Sequence, residues 1–311
     1  MKRPENSPGE SRVLAAQHAS RWLVVALTML TMLAFAANSL LTRLALEETS
    51  IDPATFTSVR LIAGALMLAL IIGLSGKRPG TSTQGMLSAA LLFIYAVAFS
   101  FAYRGMETGA GALVLFASAQ LLMLGFGYAR GERTHLLGIA LALGGLIVFL
   151  APSDTTPPLN YSLLMLVAGI AWGGFSLVGR ADGSPVLGTA NSFILAAPLA
   201  LLLLWWQRDA LEFDTVGLIY AVLAGSVTSA LGYVVWYWVR VRMAAMTAGT
   251  VQLSVPVLST MLGLLFLDEA LSARSAAAAS IVLLGIALTT RTTRVRVPLA
   301  RHTQRLRRGR S

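Results

Sequence analysis

The sequence predicts an all-α, polytopic membrane protein with ten transmembrane helices arranged as two inverted repeats of five. Three observations predict it. Of 311 residues, 56% are hydrophobic and 12% charged, and the mean hydropathy is +0.72; a soluble domain carries about 25% charged residues. Ten runs of at least 16 residues hold no charged side chain: 22–42, 61–76, 79–103, 108–129, 134–153, 155–179, 183–207, 215–239, 243–267 and 275–290. About 20 helical residues cross a hydrocarbon core of roughly 30 Å, and the alternation of a β-barrel is absent. Finally, laying Glu132 on Glu269, an offset of 137, also lays Ala34–Arg43 (AFAANSLLTR) on Ala171–Arg180 (AWGGFSLVGR), with four of ten positions identical. Two distant segments agreeing on one offset indicate a duplicated chain.

Residues 1–21 are polar, with Pro4, Pro8 and Gly9, and predict a disordered cytoplasmic lead. Trp22 opens the first repeat (residues 22–151) as an interfacial anchor. Ala34-Phe35-Ala36 resembles a signal-peptidase site, but the apolar pattern continues past it, so the span reads as an uncleaved helix. Asn38 lies inside this span. It serves either an interhelical hydrogen bond, worth roughly 0.6 kcal/mol, or a cavity. Asp52-Pro53 starts the second span, Asp as N-cap and Pro at the first helical position. Arg60 follows about 10 Å deeper. It is either a functional charge or a side chain snorkelling to an outer carboxylate. Tyr95, Phe99 and Tyr103 share one face of the third span; such a stripe is core packing or a wall for a ring-bearing solute. The fourth span, Ala110 to Ala129, is a gentler copy of the ninth, and the fifth ends at Ala151-Pro152.

Residues 152–159 link the halves, and the second repeat occupies residues 160–290. Trp172-Gly173-Gly174 makes a thin, flexible place in the sixth span where a backbone or solute can approach closely. The eighth span ends in Tyr233, Trp236, Tyr237 and Trp238 beside Arg240 and Arg242. That group reads as an interfacial belt, although the offset of 137 lays Trp236 on Phe99 and so points it toward a cavity. In Thr247–Glu269 the residues Gly249, Gln252, Pro256, Ser259 and Gly263 share a helix face. Pro256 lacks an N–H, so the carbonyl of Gln252 needs another partner and a kink is expected there. This face predicts a bundle interior or a wet cavity.

Charge sets the topology. With the N-terminus inside, 19 Lys and Arg fall inside and five outside, whereas acids divide four to ten. The positive-inside rule then puts both termini in the cytoplasm. The tail 291–311 holds eight Arg and no acid. It acts as a topological signal with anionic lipid as a possible contact; the charge distribution argues against nucleic acid. Five spans per copy make the copies insert in opposite senses, a plan used by secondary transporters.

Together these segments resemble the drug/metabolite transporter superfamily, in the branch built of two EamA-type repeats. The resemblance rests on TAGTVQLSVPVLSTMLGLLFLDEALS, its copy METGAGALVLFASAQLLMLGFGYARGER, the start IDPATFTSVR, and the paired AFAANS and AWGGFS cores. Gly138 and Gly145 keep the family's spacing after Glu132, whereas Ala278 replaces the first glycine of the second copy and Gly285 supplies the other. The resemblance implies a ten-helix inner-membrane carrier whose repeats' first four helices surround a central cavity while the fifth packs outside. Family members move amino acids, metabolites or drugs, often outward.

The expected function is alternating-access transport of a small molecule, without cofactor or metal. The expected site is Asn38, Arg60, Tyr95, Phe99, Trp172, Trp236, Gln252 and Pro256. No acid interrupts the ten runs, so proton coupling would have to use end residues such as Glu107, Glu132, Glu269 or His135. A lipid-modifying enzyme is the rival from another class, but His18, His135 and His302 are scattered without ligand spacing. No GxxxxGK[ST] loop is present. A channel could use the same polar stripe.

Overall fold

The computed structural model describes residues 8–80, 82–130, 135–151, 157–178, 185–240, 242 and 251–292. These form α1 (Pro8–Glu48), α2 (Pro53–Leu74), α3 (Thr83–Ala102), α4 (Thr108–Ala129), α5 (Leu136–Leu150), α6 (Leu159–Val178), α7 (Pro185–Trp206), α8 (Thr215–Arg240), α9 (Ser254–Phe266) and α10 (Ala273–Thr292), with no strand among the described residues. Among the described residues, seven helices are long and apolar enough to cross a membrane: Trp22–Glu48 within α1, then α2, α3, α4, α6, α7 (as Val186–Trp206) and α8. Leu136–Leu150, Ser254–Phe266 and Ala273–Leu288 are apolar but shorter. Glu132, Arg180, Gly249, most of the 152–159 link and residues 293–311 of the basic tail lie outside the described residues.

The expected disordered lead is corrected from Pro8 onward. Helix α1 continues from there into the first span. The stretch after Gly9 has neither Pro nor Gly to interrupt it, and proline is tolerated at a helix start.

The second helix begins as expected. The Asp52 carboxylate accepts from the N–H groups of Ala54 and Thr55, satisfying donors that the first helical turn leaves free. The Asp52 N–H donates to the carbonyl of Glu212 and its carboxylate accepts from the Glu212 N–H, which pins the α1–α2 connection to the α7–α8 connection. At the other end of the bundle the Gly80 N–H donates to Asn191 and the Gln84 amide to the Val178 carbonyl.

The expected kink near Pro256 takes the form of a break. The helical path is interrupted at Leu253, and α9 restarts at Ser254. Pro256 therefore sits in a first turn, where a missing N–H costs no intrahelical bond. The Ser254 hydroxyl donates to the Val251 carbonyl across the break. Val255, Pro256, Ser259 and Gly263 form the buried face of α9, and α9 packs on α1 and α4.

Helix α2 packs on α7, α4 on α9 and α5 on α10; α3 packs on α6 and α7, α4 on α6, and α8 and α9 on α1, with α8 also against α2. The α5–α10 contact is close because small residues face it. A methyl group added at Gly145 would meet Val282, and one added at Gly285 would meet the backbone of Gly138 and Ala142. Removing side-chain bulk in this way lets helix backbones approach where no hydrophobic effect drives them together.

Candidate functional site

Helices α1, α3, α4, α6 and α8 meet around a void of about 20 Å³. Phe35, Asn38, Tyr95, Phe99, Trp172 and Tyr233 belong to its wall, together with Ser39, Leu115, Phe116, Thr228 and Ser229. That volume holds about one water molecule, so this conformation has its centre shut. The Asn38 side-chain oxygen accepts from the Thr228 hydroxyl at 3.2 Å, tying α1 to α8. The Ser229 hydroxyl is buried without a hydrogen-bond partner.

Arg60 stands immediately behind this wall. It is 2% exposed, so the snorkelling alternative does not describe it. Its Nη2 donates to the Tyr95 hydroxyl at 2.9 Å. The guanidinium carbon lies 5.3 Å from the Tyr95 ring centre and 5.0 Å from that of Phe99, within cation–π reach. Its Nη1 has no hydrogen-bond partner. The aromatic stripe on α3 thus supplies the surroundings of a buried cation.

The rings are arranged in pairs. Tyr95 packs on Trp172 at 5.1 Å, and Tyr233 packs on Phe35 at 5.8 Å. Trp172 also touches Tyr233 at 5.2 Å and so joins the two pairs. Phe35 and Trp172 are 137 positions apart, whereas Tyr95 and Tyr233 are 138 apart. The additional residue belongs in the π-helical segment Ala224–Leu231 of α8, because a π-bulge accommodates one more residue than the α-helix it replaces. This step explains the position of Trp236. The constant offset lays it on Phe99, but it packs edge-on against Phe35 at 6.1 Å and is absent from the residues around the central void. Tyr233 occupies the wall instead. Neither Trp236 nor Tyr233 is an interfacial belt residue, since both are buried, whereas Trp205 and Trp206 are exposed as a belt requires.

The structure therefore brings Asn38, Tyr95, Phe99 and Trp172 together, with Arg60 in contact behind them. Gln252 and Pro256 do not join this wall. Gln252 is half-buried beside the Leu253 break. Pro256 lines a separate cavity of about 520 Å³ between α4, α9 and α10, with Glu107, Leu113, Thr260, Met261 and Glu269 among its walls. Reading one continuous helix through Leu253 placed these two residues on the central face; the break removes that continuity. The sequence reading passed over Thr228 and Ser229 and assigned Tyr233 to an interfacial belt, because the register of α8 changes inside the helix.

A polar cluster closes one end of the bundle. Both Glu269 oxygens accept from the Thr108 N–H at 2.8 Å, and one accepts from the Thr108 hydroxyl at 2.9 Å. Glu107 is the N-cap of α4 but makes no side-chain cap bond. A carboxylate from the α9–α10 connection thus caps α4 from across the bundle, where free N–H groups and the helix dipole favour negative charge. Arg43 pairs with Glu47 at 2.7 Å and with Glu269 at 3.6 Å, and donates to the Tyr103 carbonyl. Burial, followed by the charge of Glu269, raises the Glu107 carboxyl above its ordinary value, with Arg43 opposing.

Comparison with known proteins places this geometry in context. Residues 159–291 match the EamA-like transporter family. An uncharacterized protein of Pseudomonas aeruginosa is 48% identical over 84% of this chain and 92% of its own. An uncharacterized transporter of Archaeoglobus fulgidus is 27% identical, covering 87% and 99% respectively. The uncharacterized transporter YwfM of Bacillus subtilis is 23% identical, covering 78% and 86%. A protein of known crystal structure overlays with a TM-score of 0.63 at 18% identity, over 87% of this chain and 97% of its own, a likeness of fold.

Proposed function

Since the chain belongs to the EamA-type transporters of the drug/metabolite transporter superfamily, we propose that it is a secondary transporter of a small metabolite, working by alternating access around the Asn38–Tyr95–Trp172–Tyr233 centre. The observation that carries this reading is the centre itself. Buried hydroxyl and amide groups meet inside an aromatic wall with the Arg60 guanidinium directly behind it, and Ser229 and Arg60 each keep an unpaired atom. Unpaired polar groups in a bundle core are costly, and a solute that satisfies them offsets that cost.

The ten-span, inverted-repeat reading has three supports. Replacing every helix by its counterpart five places along turns α3·α6 into α8·α1, α4·α6 into α9·α1 and α3·α7 into α8·α2, all of which occur; α2·α7, α4·α9 and α5·α10 map onto themselves. Gly145 faces Val282, the residue 137 positions later, as expected where a helix crosses its counterpart on a twofold axis. The mirrored ring pairs add the third. In this reading α5, α9 and α10 are full spans, the membrane is a bacterial-type inner membrane, both termini are cytoplasmic, and efflux is the working direction.

Two measurements test the proposal. The chain has no cysteine, so single cysteines at Ser50 and Ser75 report topology without background. An impermeant maleimide added to intact cells should label the first and spare the second; labelling both or the reverse pattern overturns the orientation. In proteoliposomes, uptake should saturate and show counterflow. Flux that grows linearly with concentration and shows no counterflow excludes the carrier.

A further inference from the structure

We propose that the central site selects a ring-bearing organic anion: a carboxylate held by Arg60 beside an apolar, ring-shaped body, with no positively charged amine on it. This rests on the transporter reading and names the substrate class of that same site.

The argument begins with an uncompensated charge. An arginine stays charged when buried, and burial of a charge is normally accompanied by an opposite charge. Arg60 is almost completely buried, yet none of the ion pairs among the described residues involves it. It has one hydrogen bond, to a neutral phenol, and two ring faces. Nη1 is left unpaired. The guanidinium presents donors in a planar fork matched to a carboxylate. The position thus holds a bidentate anion receptor with one arm lightly occupied and the other free.

The surroundings define the rest of the ligand. Tyr95 and Phe99 touch Arg60 and also face the central void, where Phe35, Trp172 and Tyr233 complete an aromatic surface. Ring systems stack on such a surface by offset or edge contacts. The unpaired Ser229 hydroxyl and the Asn38 amide provide neutral polar contacts in the same wall. Among the described residues, no Asp or Glu lines the void. A substrate ammonium would therefore enter a site with a fixed cation and no anion to receive it, which excludes an amine and weakens a zwitterion, whose carboxylate still meets Arg60. The void itself must widen by movement of the aromatic side chains or of the halves, because no such solute fits the shut form.

The test uses one scaffold with three charge patterns: 3-phenylpropionate, phenylalanine and phenethylamine. Equilibrium binding is measured on the full chain in nanodiscs, and uptake in proteoliposomes. Expected is binding of 3-phenylpropionate, at least roughly 10-fold weaker binding of phenylalanine, and none of phenethylamine. Arg60→Gln should weaken the acid by roughly 30-fold, the scale of a lost hydrogen bond to a charged group. A second readout separates recognition from folding. If Arg60 is retained for a ligand, Arg60→Gln without ligand melts at the same temperature as wild type or higher; a lower melting temperature assigns it to structure and overturns the proposal. Equal binding of acid and amine, unchanged acid binding by Arg60→Gln, or no binding of the acid also overturns it. Saturable counterflow of a different solute with no preference for acids removes the substrate class and leaves the carrier. Acid binding that needs Arg60 without any flux removes the carrier and leaves the anion site.

Discussion

Glu107 and Asp214 are both carboxylates at helix N-termini, and the fold treats them oppositely. Glu107 makes no cap bond, and burial together with neighbouring Glu269 raises it above its reference value of 4.5. Asp214 accepts from the N–H groups of Gly217, Ser50 and Val216, and the Gly217 and Ser50 N–H groups, with the Ser50 and Thr49 hydroxyls, hold it down at about 2. The pH consequences follow by linkage. Below pH 4.5 Glu107 is neutral in both states and costs nothing; as pH rises through its elevated folded value, charging it opposes the folded form. Glu107→Gln should therefore melt like wild type near pH 4 and higher than wild type near pH 7. For Asp214 the stabilisation is complete above 3.8 and disappears as pH falls toward about 2. Asp214→Asn should lower the melting temperature at pH 7, with the gap closing in acid. Melting curves of the two variants from pH 3 to 8 check both signs; parallel curves would contradict the assignment. At this scale the sequence was informative about Arg60, because a charge seven residues into a span stands out against apolar neighbours. It was silent about which group Arg60 meets. Nothing in residue order distinguishes a carboxylate partner from the phenol of Tyr95.

Among the elements, α8 carries the information that sequence periodicity hides. Its π-segment adds one residue to the register and brings Tyr233 into the central wall. A fixed offset between the halves cannot reveal an insertion that is balanced again before Glu269, so it lays Gly232 rather than Tyr233 on Tyr95 and Trp236 rather than Tyr237 on Phe99. The break at Leu253 was partly legible, since Pro256 announces an interruption, but a proline can end its helix at any of several preceding residues. The same segment supports a packing prediction. A methyl group at Gly225 would lie 2.8 Å from the Arg60 carbonyl carbon and 3.0 Å from its Cα, backbone atoms that cannot rotate away. Gly225→Ala should destabilise by about 1–3 kcal/mol, the usual cost of overpacking. Gly144, on the exposed side of α5, has nothing within 4 Å of the added methyl. There alanine should be neutral or stabilise by up to about 1 kcal/mol. Thermal or denaturant unfolding of the two variants should differ in sign or by well over the error; equal effects would mean that α8 does not approach α2 this closely.

For the molecule as a whole, the Glu269 cap on α4 is the contact through which the halves would respond to each other in the proposed alternating-access cycle. It joins the α9–α10 connection to the start of α4 and, through Arg43, to α1. Opening that end requires α4 and α9 to part, because the polar cluster and the α4–α9 contact lie together there. Gly109 is the second residue of α4, and its added Cβ would lie 2.8 Å from the Thr260 Cβ. The added Cβ also lies 2.8 Å from the Thr260 Cα, so the two helices must part by about 1 Å to reach the spacing of a disulfide, about 3.5–4.5 Å between Cβ atoms. The α5–α10 contact at Gly145 and Val282 is equally close but peripheral to the central void. Gly109→Cys/Thr260→Cys should transport when reduced and stop when oxidised, with recovery on adding a thiol. Gly145→Cys/Val282→Cys should transport in both states. The absence of native cysteine makes each disulfide the one introduced. If oxidation at 109 and 260 leaves flux intact, the halves do not separate at the Glu269 end, and the solute must reach Tyr95 and Trp172 by another route. If both oxidised pairs block flux, α5 and α10 take part in the movement rather than framing it.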